Sequence, residues 1–502
     1  MICCSAEPLN PGSKNLLVIL SDQHARLGIG AYGSEVARTP NLDALASAGV
    51  RFDNAYCPAP LCVPSRMSFL TSRFPRGTRV WDNTHMLDPN MPTWVHSLGA
   101  AGVETALVGR MHFVGCDQMG GFIERPLGEY SSCPPGTQPD HPYLWKRMSV
   151  DTAGQTRESV ETSGRGRTFY QWFDEQVTAA ICKYLEKRTH SKTPFAAVVG
   201  YVLPHCPFFA PEDLFNYYHA RVNAPAVPSD LPPTIERFRR IRGLVDPPVS
   251  EERVRIARAA YFGLCEFLDQ QVGRVLRALE DSGLSDETTV VYASDHGEMD
   301  GEKGCWWKSN FYEGSAGVPL IVREPGSRRA PARINEVCNL TDLGPTFCEM
   351  LGADPPPFSQ GRSLLPLLRS TGPHDWDNET FSEFVDTWGE SDYFAARMIR
   401  SGPWKLWEYV DGVNLPPVLF HLREDRGENN NLWGQPGYED TGRRLRERLH
   451  EGWDPSWARA ESKANDMRFR AMEAWGRTVR PTSPHLLIPP HEDLEAGIDT
   501  LR

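Results

Sequence analysis

Four apolar runs stand out along the chain: residues 15–21 (NLLVILS), 104–109 (ETALVG), 195–203 (FAAVVGYVL) and 288–294 (TTVVYAS). Each is short, rich in Val and Ile, and lacks the polar alternation of a half-exposed strand. That predicts strands buried on both faces of a parallel sheet. Helical periodicity fills the intervals. Residues 40–49 place Leu42, Leu45 and Ala46 on one face, with Gly49 as a stop. In 250–283, Ser250 predicts an N-cap and Glu251 and Glu252 occupy the first turn, where the helix dipole favours negative charge. Its apolar stripe runs through Ala257, Tyr261, Leu264, Leu268, Val272, Val275 and Leu279. Strand and helix in alternation predict an α/β fold, a large, mostly parallel sheet flanked by helices.

Beyond about residue 370 the pattern changes. Residues 371–383 are turn-rich, 394–425 alternate like short antiparallel strands, and 437–453 are amphipathic with helical period. The expected organisation is an α/β domain over 1–373, a C-terminal α+β subdomain over 374–478, and an extended, Pro-punctuated tail over 479–502. The tail is expected to lie on the body or on a neighbouring subunit.

The polar residues just past the apolar runs carry the chemistry. Run 15–21 leads into Asp22, Gln23 and His24; run 104–109 into Arg110 and His112; run 195–203 into Pro204 and His205; run 288–294 into Asp295, His296, Gly297 and Glu298. In open α/β sheets ligands sit beyond the carboxyl ends of the strands, so four such ends predict one composite site. Asp22, Gln23, Asp295 and His296 combine two carboxylates, an amide oxygen and an imidazole. Hard oxygen donors predominate, which suits one Ca²⁺ or Mn²⁺ ion, with Mg²⁺ behind them, better than a structural zinc. A single donor set disfavours a two-metal hydrolase.

Charge and composition narrow the class. With 65 acidic and 53 basic residues the 502-residue chain carries a net charge of -12, which argues against a general nucleic-acid or anionic-membrane partner. No apolar run approaches the roughly 20 residues of a membrane span. Residues 1–15 lack a secretory pattern, and the 12 scattered cysteines then fit a reduced, cytoplasmic protein.

The stretch CPAPLCVPSRMSFLTSR, 57–73, is the remaining feature. Pro64 suits the first turn of a helix, which puts Cys62 just ahead of a helix N-terminus, where free N–H groups and the dipole stabilise negative charge. Three readings of Cys62 stay open on these residues alone: a buried structural thiol, a nucleophile with His112 or His205 as base, or half of a Cys57–Cys62 disulfide or metal site.

Cys62-Val63-Pro64-Ser65-Arg66 resembles the Cys-x-Pro-x-Arg motif of type I sulfatases, members of the alkaline phosphatase superfamily. The stretches NLLVILSDQH, ALVGRMHFVGCDQMGGF, LPHCPF, YASDHGEMDGEKGCWWKSNF and FHLREDRGENNNLW occur in the family's order. SDQH with DHGE is similar to the branch of choline sulfatases and phosphonate monoester hydrolases, although residues 126–149 differ from the choline sulfatase substrate segment. The resemblance implies that a maturation enzyme converts Cys62 to Cα-formylglycine, whose hydrate attacks sulfur. It implies a divalent cation on Asp22, Gln23, Asp295, His296 and residue 62, with Arg66 polarising the diol. Lys308 and Arg110 would bind sulfate, Arg110 standing where the family has Lys. His205 would protonate the leaving alkoxide, His112 would help remove the second diol proton, and Asn83 would line the substrate site. The substrate implied is a small sulfate ester and the assembly a homo-dimer or tetramer. The alternatives are a phosphonate monoester or phosphodiester hydrolase on the same site, and a catalytically silent sulfate-ester binding protein.

Overall fold

The computed structural model describes residues 14–115, 117–129, 154–325, 332–369, 375–389, 392–411 and 415–479. The expected 373/374 domain boundary, the tail beyond residue 479, the first 13 residues and most of segment 126–149 lie outside them.

The strands in chain order are β1 (Asn15–Asp22), β2 (Val50–Tyr56), β3 (Glu104–Gly109), β4 (Glu124–Leu127), β5 (Gly164–Arg165), β6 (Phe195–Pro204), β7 (Phe209–Ala210), β8 (Thr288–Ser294), β9 (Leu320–Arg323), β10 (Ala332–Asn339), β11 (Glu379–Asp386), β12 (Phe394–Ser401), β13 (Trp404–Val410) and β14 (Val418–His421). Eight of them form one sheet in the order β10-β2-β9-β8-β1-β6-β3-β4. Only β9 runs antiparallel to its neighbours there. The expected fold class holds.

The reason lies in β1. Leu16, Val18 and Leu20 enter one hydrophobic core while Leu17 and Ile19 enter a second, so both faces are covered and no polar alternation appears in the sequence. Helix Glu251–Asp281 covers the second face, with Ser250 Oγ accepting the Arg253 N–H as its N-cap and the whole expected stripe buried. Helix Cys62–Thr71 is buried along its entire length against the first.

A separate antiparallel sheet, β11-β12-β13-β14, with helices Glu439–His450 and Pro455–Val479, occupies the C-terminal part. One strand differs from expectation: β11 begins within the stretch read as turns. Its Glu383 is fully buried, paired with Arg397 (3.2 Å) and Arg76 (3.3 Å), so a buried charge interrupts the apolar signal. The sheet docks on the segment leading to Cys62, since the Glu383 N–H donates to Pro58 O at 2.8 Å. No helix among the described residues is long and apolar enough to cross a membrane.

Candidate active site

Five adjacent parallel strands, β8, β1, β6, β3 and β4, end on the same edge of the sheet. Register fixes what they deliver. Ser21 pairs with Ser294, so Asp22 and Asp295 emerge side by side, and Asp22 pairs with Pro204, one residue before His205. Gly109 pairs with Gly200, so Arg110 leaves beside β6. A side chain at Gly200 would overlap the Arg110 carbonyl, and one at Gly297 would overlap the carbonyl of Gly314; both glycines permit close approach.

Ligand atoms of Asp22, Cys62, Asp295 and His296 all lie within 4.8 Å of one another, and all four residues are buried. Cys62 Sγ is 3.2 Å from His296 Nε2 and 3.7 Å from Asp22 Oδ1. His296 Nδ1 faces the Gly297 carbonyl at 3.0 Å, so its proton sits there and the Nε2 lone pair points into the cluster. Nε2 has only carboxylate oxygens at 3.6 Å and the thiol for company. Burial lowers the pKa of this imidazole, against the pull of Asp295. A buried lone pair, two carboxylate oxygens and a sulfur, with only the weak thiol proton among them, converge as a set that fits a single divalent cation.

Cations surround this set. The Arg66 guanidinium, wholly buried, donates from Nε to Asp295 Oδ2 at 2.7 Å and from Nη2 to Asp22 Oδ2 at 3.3 Å, so each carboxylate keeps its Oδ1 for the cluster. Asp295 Oδ1 accepts the Gln23 and His296 N–H groups at 3.1 and 2.9 Å. Burial would push the Asp22 carboxyl up, but the Arg110 and Arg66 guanidinium groups hold it well below the ordinary carboxylate range. Lys308 Nζ donates to Gln23 Oε1 at 2.5 Å and to His205 Nε2 at 2.8 Å. His205 therefore carries its proton on Nδ1, 2.6 Å from the Cys206 carbonyl; burial and then Lys308 lower its pKa well below the usual value.

The backbone is strained where these groups meet. Gln23, His112, Trp307 and Ser309 have φ of 67°, 60°, 63° and 66°. Left-handed conformations in non-glycine residues, an indole among them, are held by surrounding structure and gather at functional sites.

All eleven residues singled out in the sequence belong to this region or its supports, with differences in detail. Cys62 is the first residue of its helix rather than the one before it, with Leu61 at the N-cap. Cys57 and Cys62 are both free thiols, so the disulfide alternative is set aside. Asn83 is exposed and its Oδ1 accepts the Val63 N–H at 3.0 Å, holding the first turn of the Cys62 helix.

Sequence reasoning missed two carboxylates, Glu129 and Asp174, and gave a third, Glu298, no role of its own. Glu129 lies just beyond β4, and the strand-end rule that found the others would have found it had ERPL been read as a strand. Glu298, noted only as part of a strand end, accepts Gln23 Nε2 at 2.5 Å, the Trp307 N–H at 2.5 Å and the Asp300 N–H at 2.8 Å. Asp174, in the middle of helix Phe169–Arg188, accepts the N–H groups of Val202 and Leu203 at 3.0 and 2.9 Å, and burial pushes its carboxyl up to about 7. It secures the backbone that presents His205, and no local pattern announces it.

Comparison with known proteins points to one family. The sulfatase family model matches residues 14–353, and the model of the N-sulphoglucosamine sulphohydrolase C-terminal region matches residues 301–454. The choline-sulfatase of Rhizobium meliloti (strain 1021) is 33% identical over 443 residues, covering 85% of this chain and 84% of that protein. Arylsulfatase K of Danio rerio is 27% identical over 478 residues, covering 91% and 87%. Among solved structures, the phosphonate monoester hydrolase of Silicibacter pomeroyi superposes with a TM-score of 0.70 at 25% identity, over 87% of this chain and 94% of that one. The chain belongs to the sulfatase family of the alkaline phosphatase superfamily and is a sulfuric ester hydrolase.

Proposed function

We propose that this chain hydrolyses a small sulfate monoester to an alcohol and inorganic sulfate, using residue 62, matured from Cys to formylglycine, and one divalent cation. The observation that carries the reading is the buried ring of Asp22, Cys62, Asp295 and His296, with Cys62 in contact with two of the other three. When present, the hydrated aldehyde supplies an oxygen nucleophile and the dication, Ca²⁺ or Mn²⁺ by donor hardness, withdraws charge from the sulfate oxygens. Gln23 contributes its amide oxygen beside that set, shared with Lys308.

The chain's own residues do the rest. Arg66 fixes both aspartates so that their Oδ1 atoms face inward. Lys308, whose charge burial disfavours but the neighbouring Cys62 and Asp22 stabilise, places a cation where sulfate charge develops. The leaving alkoxide takes its proton from the Lys308–His205 pair, in which Lys308 Nζ holds the shared proton and His205 Nε2 orients it across their 2.8 Å contact. His205→Ala is therefore expected to lower kcat by about 10²–10⁴-fold on alkyl sulfates and far less on nitrophenyl sulfate, whose phenolate leaves unaided. Equal losses on both would remove His205 from this role.

A second reading is supported by the phosphonate monoester hydrolase likeness: the same site would cleave phosphonate monoesters or phosphodiesters. Rates on matched aryl sulfate and aryl phosphonate decide, and a preference of about a hundredfold, some 2.7 kcal/mol in the barrier, assigns the substrate class. A silent binding protein would turn over neither. The eight described cysteines are all free, which supports a reducing, cytoplasmic setting, with the maturation enzyme as the partner required.

A further inference from the structure

We propose that Glu129 and Arg110 form a positioning strut that fixes His112 as a hydrogen-bond donor, so that His112 presents an Nε2–H to the sulfate oxygens instead of accepting a proton there. The proposal deepens the sulfate-ester reading above and rests on it.

Among the described residues, the three nitrogens of the buried Arg110 guanidinium each reach a different acceptor. Nε donates to Asp22 Oδ2 at 2.7 Å, Nη1 to Glu129 Oε1 at 2.8 Å, and Nη2 to His112 Nδ1 at 2.8 Å. A guanidinium has no acceptor, so His112 Nδ1 must accept and the ring proton resides on Nε2. An ammonium at this position, with its donors on one atom, would not span the same three partners. Glu129, 2% exposed, completes the strut: its other oxygen, Oε2, accepts the N–H groups of Met111 and His112 at 3.1 and 2.6 Å. Those two bonds hold the left-handed backbone at His112. Gly200 lets the Arg110 backbone close on β6, where the Arg110 N–H donates to Gly200 O at 2.8 Å. The base of the strut is thus rigid. The His112 ring is part-exposed, and among the described residues its Nε2 makes no hydrogen bond, which leaves that edge for a ligand. A fixed donor facing an anionic oxygen is an electrostatic device, and loss of one such donor typically costs about 10²–10³ in kcat.

Glutamine at 112 can donate but cannot act as an imidazole base, which separates the two roles. His112→Ala is expected to lose about 10²–10³ in kcat, and His112→Gln to recover at least about tenfold of it. Glu129→Gln, which removes one of the strut's two carboxylate oxygens, should lower kcat about tenfold or more with KM within about threefold. Nitrogen-15 spectra of the histidine-labelled wild type should show His112 unprotonated at Nδ1 and protonated at Nε2, and Glu129→Gln should mix the tautomers. Equal impairment of the Gln and Ala variants, a proton on Nδ1 in the wild type, or a Glu129→Gln effect confined to KM would each overturn the proposal. A wild type matured at residue 62 that turns over no sulfate ester would sink the reading of the reaction, while the spectra would still decide the strut.

Discussion

Arg66→Met is expected to destabilise the protein by about 3–5 kcal/mol, the usual cost of removing one partner from a buried ion pair. Methionine fills much of the volume but leaves Asp22 Oδ2 and Asp295 Oδ2 facing apolar surroundings with a charge each. Asp22 would keep Arg110 at 2.7 Å; Asp295 would lose its only side-chain cation within hydrogen-bond reach among the described residues. The Arg110 and Ser21 carbonyls would also lose the donors that now reach them at 3.0 and 3.3 Å. Urea unfolding should show the midpoint shift, and Arg66→Lys should restore only part of it, because an ammonium carries its donors on one atom and cannot also reach the Arg110 and Ser21 carbonyls. A shift below about 1 kcal/mol, the range of surface pairs, would mean that the two aspartates are not held as described.

The second large effect falls on activity. Cys62→Ala is expected to reduce kcat by about 10⁴–10⁶-fold, the scale on which enzymes lose a covalent nucleophile, while the far-ultraviolet circular dichroism spectrum stays unchanged. The mutation removes one small buried atom and no hydrogen bond to the backbone. Activity within tenfold of the wild type would place the nucleophile elsewhere. In the wild type, the peptide carrying residue 62 should show loss of the thiol mass in favour of the aldehyde when the protein is made with the maturation enzyme, and retention of the thiol without it.

The fold and the site were legible in unequal measure, for physical reasons. Strands β1, β3, β6 and β8 were visible because burial on both faces demands unbroken apolar runs. Strand β2, VRFDNAY, was not, since its Asp53 and Arg51 pair with each other at 2.8 Å and break the pattern. The Asp22, Asp295 and His296 cluster was legible because a parallel sheet delivers its chemistry at one edge, immediately after each strand. Helix Cys62–Thr71 reaches that edge from β2, across two intervening strands, and only the resemblance of its motif tied it to the others. Proton positions were out of reach of any pattern. That His205 Nε2 and His112 Nδ1 both accept is set by Lys308 and Arg110 standing 2.8 Å away, a fact of three-dimensional packing.

The most direct test is a crystal grown with Mn²⁺ and measured for anomalous scattering. One peak is expected, about 2.0–2.6 Å from Asp22 Oδ1, Asp295 Oδ1, His296 Nε2 and the side chain at position 62. A peak elsewhere on the molecule, or a second strong one beside the first, would contradict the single-cation site on which the proposed hydrolysis depends.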